Sequence, residues 1–353
     1  LHTHVTWEEL EKSLQKALST DAHFGEKKHA EQTGHVNGFL SLIGVCDLDW
    51  HPADARLPPK ILIKVASGLT AVVAMKSVGD VFTKEQKQEK LERLDQGVRV
   101  FIVKENAFYT RVTELSLSQE LKVPRLYSSQ MFSKTNTTSA FLAMEYFDGC
   151  SVYHIYDNLT QHQLNQDLEL MYQRLKILGL ETTALVDQVS GKIEDIFDNT
   201  IPHTINDQLG MKQVLVHGDL WSTNMLWKDG NLEAVVDWQI VHYGSAAEDI
   251  IRLLNSVLSG REREQHWEAI LDRFYEYIEE ELHGQPAPYT REQLHRAYRL
   301  LYPFATLVFI PPLAPIFAVA TKDGAHPEKK DHLVEKVNAM LRSVLTFYEE
   351  SNN

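Results

Sequence analysis

The chain has 353 residues, 43% of them hydrophobic and 24% charged, with a formal net charge of −14. That length allows two lobes with separate cores, and the balance is that of a globular chain rather than a disordered one. The acidic excess argues against a nucleic-acid surface, which needs a basic face to displace counterions. The two cysteines, Cys46 and Cys150, form neither a disulfide framework nor a metal-ligand spacing, which points to a reducing, cytoplasmic setting.

The opening "LHTHVTWEELEKSLQKAL" lacks the continuous apolar core of a signal peptide. It reads as a helix from Thr6, with Thr6 as cap and Glu9 completing a capping box. "TGHVNGFLSLIGVCDLDW" (33–50) is a turn-rich start followed by a β-prone run, and "LPPKILIKVAS" (57–67) is a short β-branched strand behind two prolines. Residues 84–117 begin highly charged and then carry Val100, Val103, Ala107 and Phe108 at helical spacing. "KVPRLYSSQMF" and "SAFLAMEYFDGC" predict a further strand pair, with Gly149 a natural place for the chain to change lobes.

From residue 151 the pattern turns helical, first over 151–200 and later over 246–259, 265–283, 291–302 and 328–349. "LYPFATLVFIPPLAPIFAVA" (301–320) has the length and apolarity of a membrane span, but Pro303, Pro311, Pro312 and Pro315 break it. It is expected to be buried core or pocket wall, with no membrane span. The fold class is therefore α+β, with a small sheet-containing lobe over 1–147 and a larger, mainly helical lobe over 148–353.

Chemistry concentrates in "VLVHGDLWSTNMLWKDGNLEAVVDWQ" (214–239). "VLVH" and "LEAVVDW" read as strands, "GDLWSTN" as a loop, and "KDGN" as the turn that lets the strands pair. Such a hairpin can bring Asn224 and Asp237 together as hard oxygen ligands for magnesium, leaving positions for phosphate and water. Asp219 then faces an arriving hydroxyl, and phosphoryl transfer needs little more than a carboxylate to orient it and take its proton.

His217, Asp219, Asn224 and Asp237 in this order resemble the H-x-D-x-x-x-x-N and metal-aspartate signature of the aminoglycoside phosphotransferase/choline kinase superfamily, protein-kinase-like enzymes acting on small alcohols. The opening helix and "PKILIKVAS" are similar to the nematode branch of the CHK-kinase-like proteins, near the ecdysteroid-kinase-like group. The resemblance covers nearly the whole chain and implies a two-lobed protein-kinase-like fold that uses ATP and Mg2+. It implies that Lys64 steadies the nucleotide phosphates, that Glu105 pairs with Lys64, and that backbone groups of Glu145, Tyr146 and Phe147 hold the adenine. It also implies that Asp249 props the catalytic loop, with His217 as structural support. The phosphate-covering loop falls on "GHVNGFLS", with backbone near Asn37 and Gly38 and the hydroxyl of Ser41, although this loop is not glycine-rich in the protein-kinase manner. Trp238 and Gln239 follow the metal aspartate where protein kinases have Phe-Gly.

Each residue also has an ordinary reading. His217 beside a buried strand is a hydrogen-bonded structural histidine, Asp219 alone is a turn residue, and a strand lysine such as Lys64 is usually solvent-facing. Glu105 alone is a surface helix charge, and Asp249 opens a helix where Asp caps well. Tyr153, Tyr156, Trp221, Trp238, Tyr243, Tyr302 and Phe304 would supply an aromatic box for a quaternary ammonium group or, more ordinarily, core packing. The function expected is an ATP- and Mg-dependent kinase for a small-molecule alcohol, whether choline-like, steroid-like or another metabolite. The rivals are a pseudokinase scaffold and a protein kinase. Only "WQIVHYGSAAE" separates Asp237 from Asp249, too short for a peptide-docking segment.

Overall fold

The computed structural model describes residues 3–33, 41–67, 84–119, 121–150, 183–198, 200–310, 313 and 327–351. Two compact units emerge, Leu1–Ser151 with Leu226–Ile240, and Val152–Met225 with Val241–Asn353. Elements are labelled in chain order.

In the first unit, α1 (Trp7–Leu18) starts as its sequence predicts. The Thr6 hydroxyl accepts from the Glu9 amide at 3.2 Å while the Thr6 amide donates to the Glu9 carboxylate at 2.9 Å. β1 (His23–Phe24) and β4 (Trp50–His51) form a small separate pair. The main sheet has five strands: β2 (His29–Thr33), β3 (Ser41–Asp47), β5 (Lys60–Ala66), β7 (Phe141–Glu145) and β6 (Leu126–Gln130), in that spatial order and antiparallel throughout. Strand alternation gives central β5 two different faces. Ile61, Ile63 and Val65 pack with Leu10, Leu14, Cys46 and Phe141 behind the sheet, whereas Leu62 and Ala66 join the cluster containing Leu142, Met144 and Tyr109 in front. Lys64 shares that front side, opposite Ile43 on one neighbour and Leu142 on the other.

The front is covered by α2 (Lys84–Glu114), on a stripe that keeps Phe108 but not Val100, Val103 or Ala107 of the expected positions. Val98, Ile102, Glu105, Tyr109 and Val112 are buried, while Val100 and Val103 are each 51% exposed and Ala107 is exposed. The buried stripe includes a carboxylate, which a hydrophobic count passes over; Lys64 compensates its burial. Ile102→Ala should therefore cost about 2–5 kcal/mol in urea unfolding, and Val103→Ala should stay within about 0.5 kcal/mol of the parent.

β8 (Val214–Val216), β9 (Met225–Lys228), β10 (Asn231–Val235) and β11 (His242–Gly244) correct the expected strand pairing. Asp229 and Gly230 both take positive φ, 50° and 78°, as a tight hairpin turn requires, but they pair β10 with β9 rather than with β8. β8 pairs instead with β11, through Val216–His242 and Val214–Gly244. The stretch Leu226–Ile240, placed with the helical lobe by a boundary at 147/148, is held in the first unit. The Val235 amide donates to the Lys122 carbonyl at 2.6 Å, and Lys122 Nζ donates to the Leu232 carbonyl at 2.6 Å.

The second unit is mainly helical: α3 (Thr183–Gly191), α4 (Ile193–Ile196), α5 (Ile201–Leu209), α6 (Ala246–Val257), α7 (Gly260–Glu281), α8 (Arg291–Phe309) and α9 (Pro327–Ser351). Ser245, Ser259 and Thr290 open α6, α7 and α8 with capping boxes. Helix α8 runs through Pro303, which was expected to end it. Leu294, Ala297, Tyr298, Leu301 and Tyr302 before the proline, and Thr306, Leu307 and Phe309 after it, are all buried against a core shared with α6 and α9. That burial outweighs a proline cost of about 3 kcal/mol. No helix among the described residues is long and apolar enough to cross a membrane. Residues 311–312 and 314–320 of the apolar segment, like all of 151–182, lie outside the described residues.

Candidate active site

In the first unit, the front of β5 and the inner stripe of α2 put Lys64 against Glu105, with Nζ 2.9 Å from Oε1 and 2.8 Å from Oε2. Lys64 also donates to Asp237 Oδ1. Lys64 is 5% exposed and Glu105 1%, so neither is a solvated surface charge. Burial alone would pull the lysine down, but the carboxylates of Asp237 and Glu105 outweigh it and hold the ammonium above its ordinary value. One cation faces two carboxylates here. Burial, together with Asp237, pushes the Glu105 carboxyl up to about 7 against the pull of Lys64.

Asp237 takes φ 67°, the left-handed region that Asp tolerates better than most side chains. The next residue, Trp238, stacks on Phe108 of α2 at 4.2 Å between centroids, and its indole nitrogen donates to the Val235 carbonyl at 3.0 Å. Tyr109, fully buried beside the cluster, has its hydroxyl pushed well above the usual range by burial and by the Glu105 and Asp237 charges. Ser41 pairs with Ala66 just as Ile43 pairs with Lys64, which puts Ser41 on the same side of the sheet as the lysine. Glu145 ends β7, and its amide is already donated to the Arg125 carbonyl at 2.8 Å. The remaining expected backbone donors for adenine are thus those of Tyr146 and Phe147. Asn37 and Gly38 lie outside the described residues.

In the second unit, a buried loop follows β8. Asp249 Oδ2 accepts the His217 amide at 2.7 Å and Oδ1 accepts the Gly218 amide at 2.9 Å. Gly218 has φ 82°, a conformation that suits glycine. Asp249 is not the helix cap that its position suggested: Ser245 caps α6, and Asp249 lies one turn inside. Burial pushes its carboxyl up to about 6, opposed by the two amides and by Arg252. His217, 2% exposed, accepts the Asp219 amide on Nδ1 at 3.1 Å, which places the proton of the neutral ring on Nε2. Asn224 closes the loop by donating Nδ2 to the Asp219 carbonyl at 3.0 Å and to Asp219 Oδ2 at 3.3 Å. That leaves the Asn224 amide oxygen as its metal-capable atom. Asp219 and Asn224, 2% and 6% exposed, are thus fixed in one buried turn.

Sequence reading missed Arg252, whose Nη1 is 3.9 Å from Asp219 Oδ1. The signal was present: Arg252 follows Asp249 by one helical turn, on the face that Asp249 turns toward the loop. It also missed Tyr109, four residues beyond Glu105 on the same stripe of α2. Of the candidate aromatic-box residues that are described, Trp221 is buried in the loop after β8. Trp238 stacks on Phe108, Tyr302 donates to Asn255 in the helical core, Phe304 leans on Phe197, and Tyr243 is 71% exposed. Tyr153 and Tyr156 lie outside the described residues.

The chain is 33% identical over 132 residues to a protein named "Uncharacterized kinase-like protein D1044.1" from Caenorhabditis elegans, covering 35% of each chain. It is 23% identical over 254 residues to the Caenorhabditis elegans "Uncharacterized oxidoreductase dhs-27", covering 59% of this chain and 30% of that one. It thus spans about a third of the length of these curated relatives. Among solved structures, it is similar to a thermostable mutant of aminoglycoside phosphotransferase APH(4)-Ia in ternary complex with AMP-PNP and hygromycin B. That match has TM-score 0.36 and 15% identity, over 95% of this chain and 98% of the other. The Plasmodium vivax ethanolamine kinase matches with TM-score 0.41 and 10% identity over 92% and 82%. The choline kinase LicA of Streptococcus pneumoniae matches with TM-score 0.36 and 13% identity over 96% and 99%. The family model DUF1679, described as "Uncharacterized oxidoreductase dhs-27", matches residues 1–173 and 166–352, and the chain belongs to that family.

Proposed function

We propose that this chain is an ATP- and Mg-dependent small-molecule kinase that transfers the γ-phosphoryl group to an alcohol hydroxyl. The observation that carries the reading is the buried Lys64, bound to Glu105 and to Asp237 at once. A lysine buried on a central strand and held by two carboxylates is poorly explained by stability, since burying ions costs several kcal/mol each. It is well explained as a preorganised cation for phosphate oxygens.

The second unit supplies the other half of the reading. Asp219 orients the acceptor hydroxyl and takes its proton as the oxygen attacks phosphorus. Asp249 and His217 hold the loop through its amides, so that Asp219 meets the hydroxyl without reorganising. Asn224 and Asp237 are the proposed magnesium ligands, and their hard oxygens suit an ion that takes only a few protein donors alongside phosphates and water. Among the described residues no group of three or more His, Cys, Asp or Glu is placed to hold a metal, so phosphate oxygens would have to complete the coordination. When bound, the ion neutralises charge on the β- and γ-phosphates. Lys64, anchored by Glu105, would offer its ammonium to phosphate oxygens, and Asp237 would offer its carboxylate to the ion.

The oxidoreductase in the name of one relative belongs to a protein of which this chain spans 30%, and among the described residues the five-stranded sheet is antiparallel throughout, without a parallel βαβ unit for a dinucleotide. A scaffold that binds nucleotide without transfer is the second reading, favoured only by the Lys64–Asp237 contact, which occupies the metal aspartate. A thermal-shift titration with Mg·ATP, followed by a metabolite screen with labelled ATP, separates the two. Stabilisation by Mg·ATP and label transfer to an alcohol are expected; stabilisation with no transfer to any metabolite supports the scaffold, and no stabilisation refutes both.

A further inference from the structure

In the loop that carries Asp219 and on the helix behind it, four buried atoms able to donate hydrogen bonds have no hydrogen-bond partner among the described residues: Trp221 Nε1, Ser222 Oγ, Thr223 Oγ1 and Arg252 Nη1. Buried polar groups in folded proteins are nearly all paired, and an orphan needs a reason. Here three of the four are consecutive in the loop that carries Asp219 and Asn224, and the fourth lies on α6, which packs against that loop. Trp221, Ser222 and Thr223 are 8%, 0% and 5% exposed, whereas the Arg252 side chain is 15% exposed. Ligand oxygens would therefore reach the set from the Arg252 side.

The chemistry of the set is one-sided. Indole and guanidinium N–H groups only donate, and the two hydroxyls donate or accept. Their complement is a group rich in oxygen lone pairs. A quaternary ammonium offers none and meets a like charge at Arg252. The set belongs with the acceptor because Arg252 Nη1 is 3.9 Å from Asp219 Oδ1, the carboxylate that receives the acceptor hydroxyl in the proposed reaction. We infer, on the phosphotransferase reading above, that the acceptor is an oxygen-rich alcohol, a polyol or hydroxy acid, whose oxygens take hydrogen bonds from Trp221, Thr223 and Arg252 beside Asp219.

The test uses the full chain labelled with 15N-tryptophan, with the Trp221 indole resonance assigned through Trp221→Phe. Ribitol, D-glycerate and choline are titrated with and without Mg·AMP-PNP. Ribitol or D-glycerate should move the Trp221 resonance downfield in a saturable way, and choline should not. Arg252→Met should weaken that response about tenfold or more, and Arg252→Lys should recover part of it. This pair of variants also identifies the responding resonance if Trp221→Phe does not fold. The inference is overturned if choline moves the resonance more readily than the oxygen-rich probes, or if neither of those probes moves it. It is equally overturned if Mg·AMP-PNP alone moves it and no alcohol adds to the shift, since the donors would then serve the phosphoryl group. Nucleotide binding is read separately by thermal shift. A chain that responds to ribitol at Trp221 but never binds Mg·AMP-PNP refutes the kinase reading and leaves the oxygen site standing.

Discussion

Asp219→Asn should bind Mg·ATP within about twofold of the parent affinity and lose turnover by roughly 10²–10⁴-fold, the range that a positioned general base supplies. Asn keeps the size of the side chain and can still accept from Asn224 Nδ2, which sits 3.3 Å from Asp219 Oδ2. The substitution removes the charge and the ability to take a proton. The loop itself should survive, because its brace runs through the His217 and Gly218 amides to Asp249 and leaves the Asp219 carboxylate out. Calorimetry of Mg·ATP binding and single-turnover transfer to the acceptor found in the metabolite screen check both halves. Near-parental turnover in the purified variant would remove Asp219 from the chemistry, and lost nucleotide binding would mean that the loop had collapsed.

Lys64→Met should have the largest effect on stability, about 3–5 kcal/mol, because it leaves Glu105 and Asp237 facing each other without their shared cation. The second substitution in Lys64→Met/Glu105→Leu should restore part of the loss, since it removes the more deeply buried carboxylate. The deficit should depend on pH with a definite sign. The Glu105 carboxyl titrates near 7 when folded and at 4.5 ordinarily, so the folded state holds that proton more tightly. Its contribution to stability is then present at low pH and fades as pH rises from about 4.5 through about 7. Without Lys64 the folded value climbs further. The gap between variant and parent should therefore be smallest near pH 5 and widen above neutrality, as urea midpoints at several pH values would show. An equal deficit at all pH values would mean that the loss comes from packing rather than charge. Lys64→Met should also weaken Mg·ATP binding.

Much of this molecule was legible from residue order. The Thr6–Glu9 box, the strands around Ile61–Val65 and Phe141–Glu145, and the helices from Ala246, Arg291 and Pro327 are all governed by local rules that act within a few residues. The spacing of His217, Asp219 and Asn224 likewise falls within one turn of chain, so their mutual hydrogen bonds follow from the loop itself.

What sequence alone could not decide depended on partners distant along the chain. The Asp-Gly turn was clear, but which strand β10 joins was settled by β8 finding β11. The stripe that α2 buries was misread because Glu105 replaces an apolar residue, and only Lys64, 41 residues away, makes that burial tolerable. Pro303 ends a helix by local propensity, yet α8 continues because its flanking side chains are buried on both sides of it. Arg252 comes to lie beside Asp219 only because α6 packs against the loop. Local pattern fixes which elements form, whereas charge compensation and burial across the chain decide which of their faces point inward.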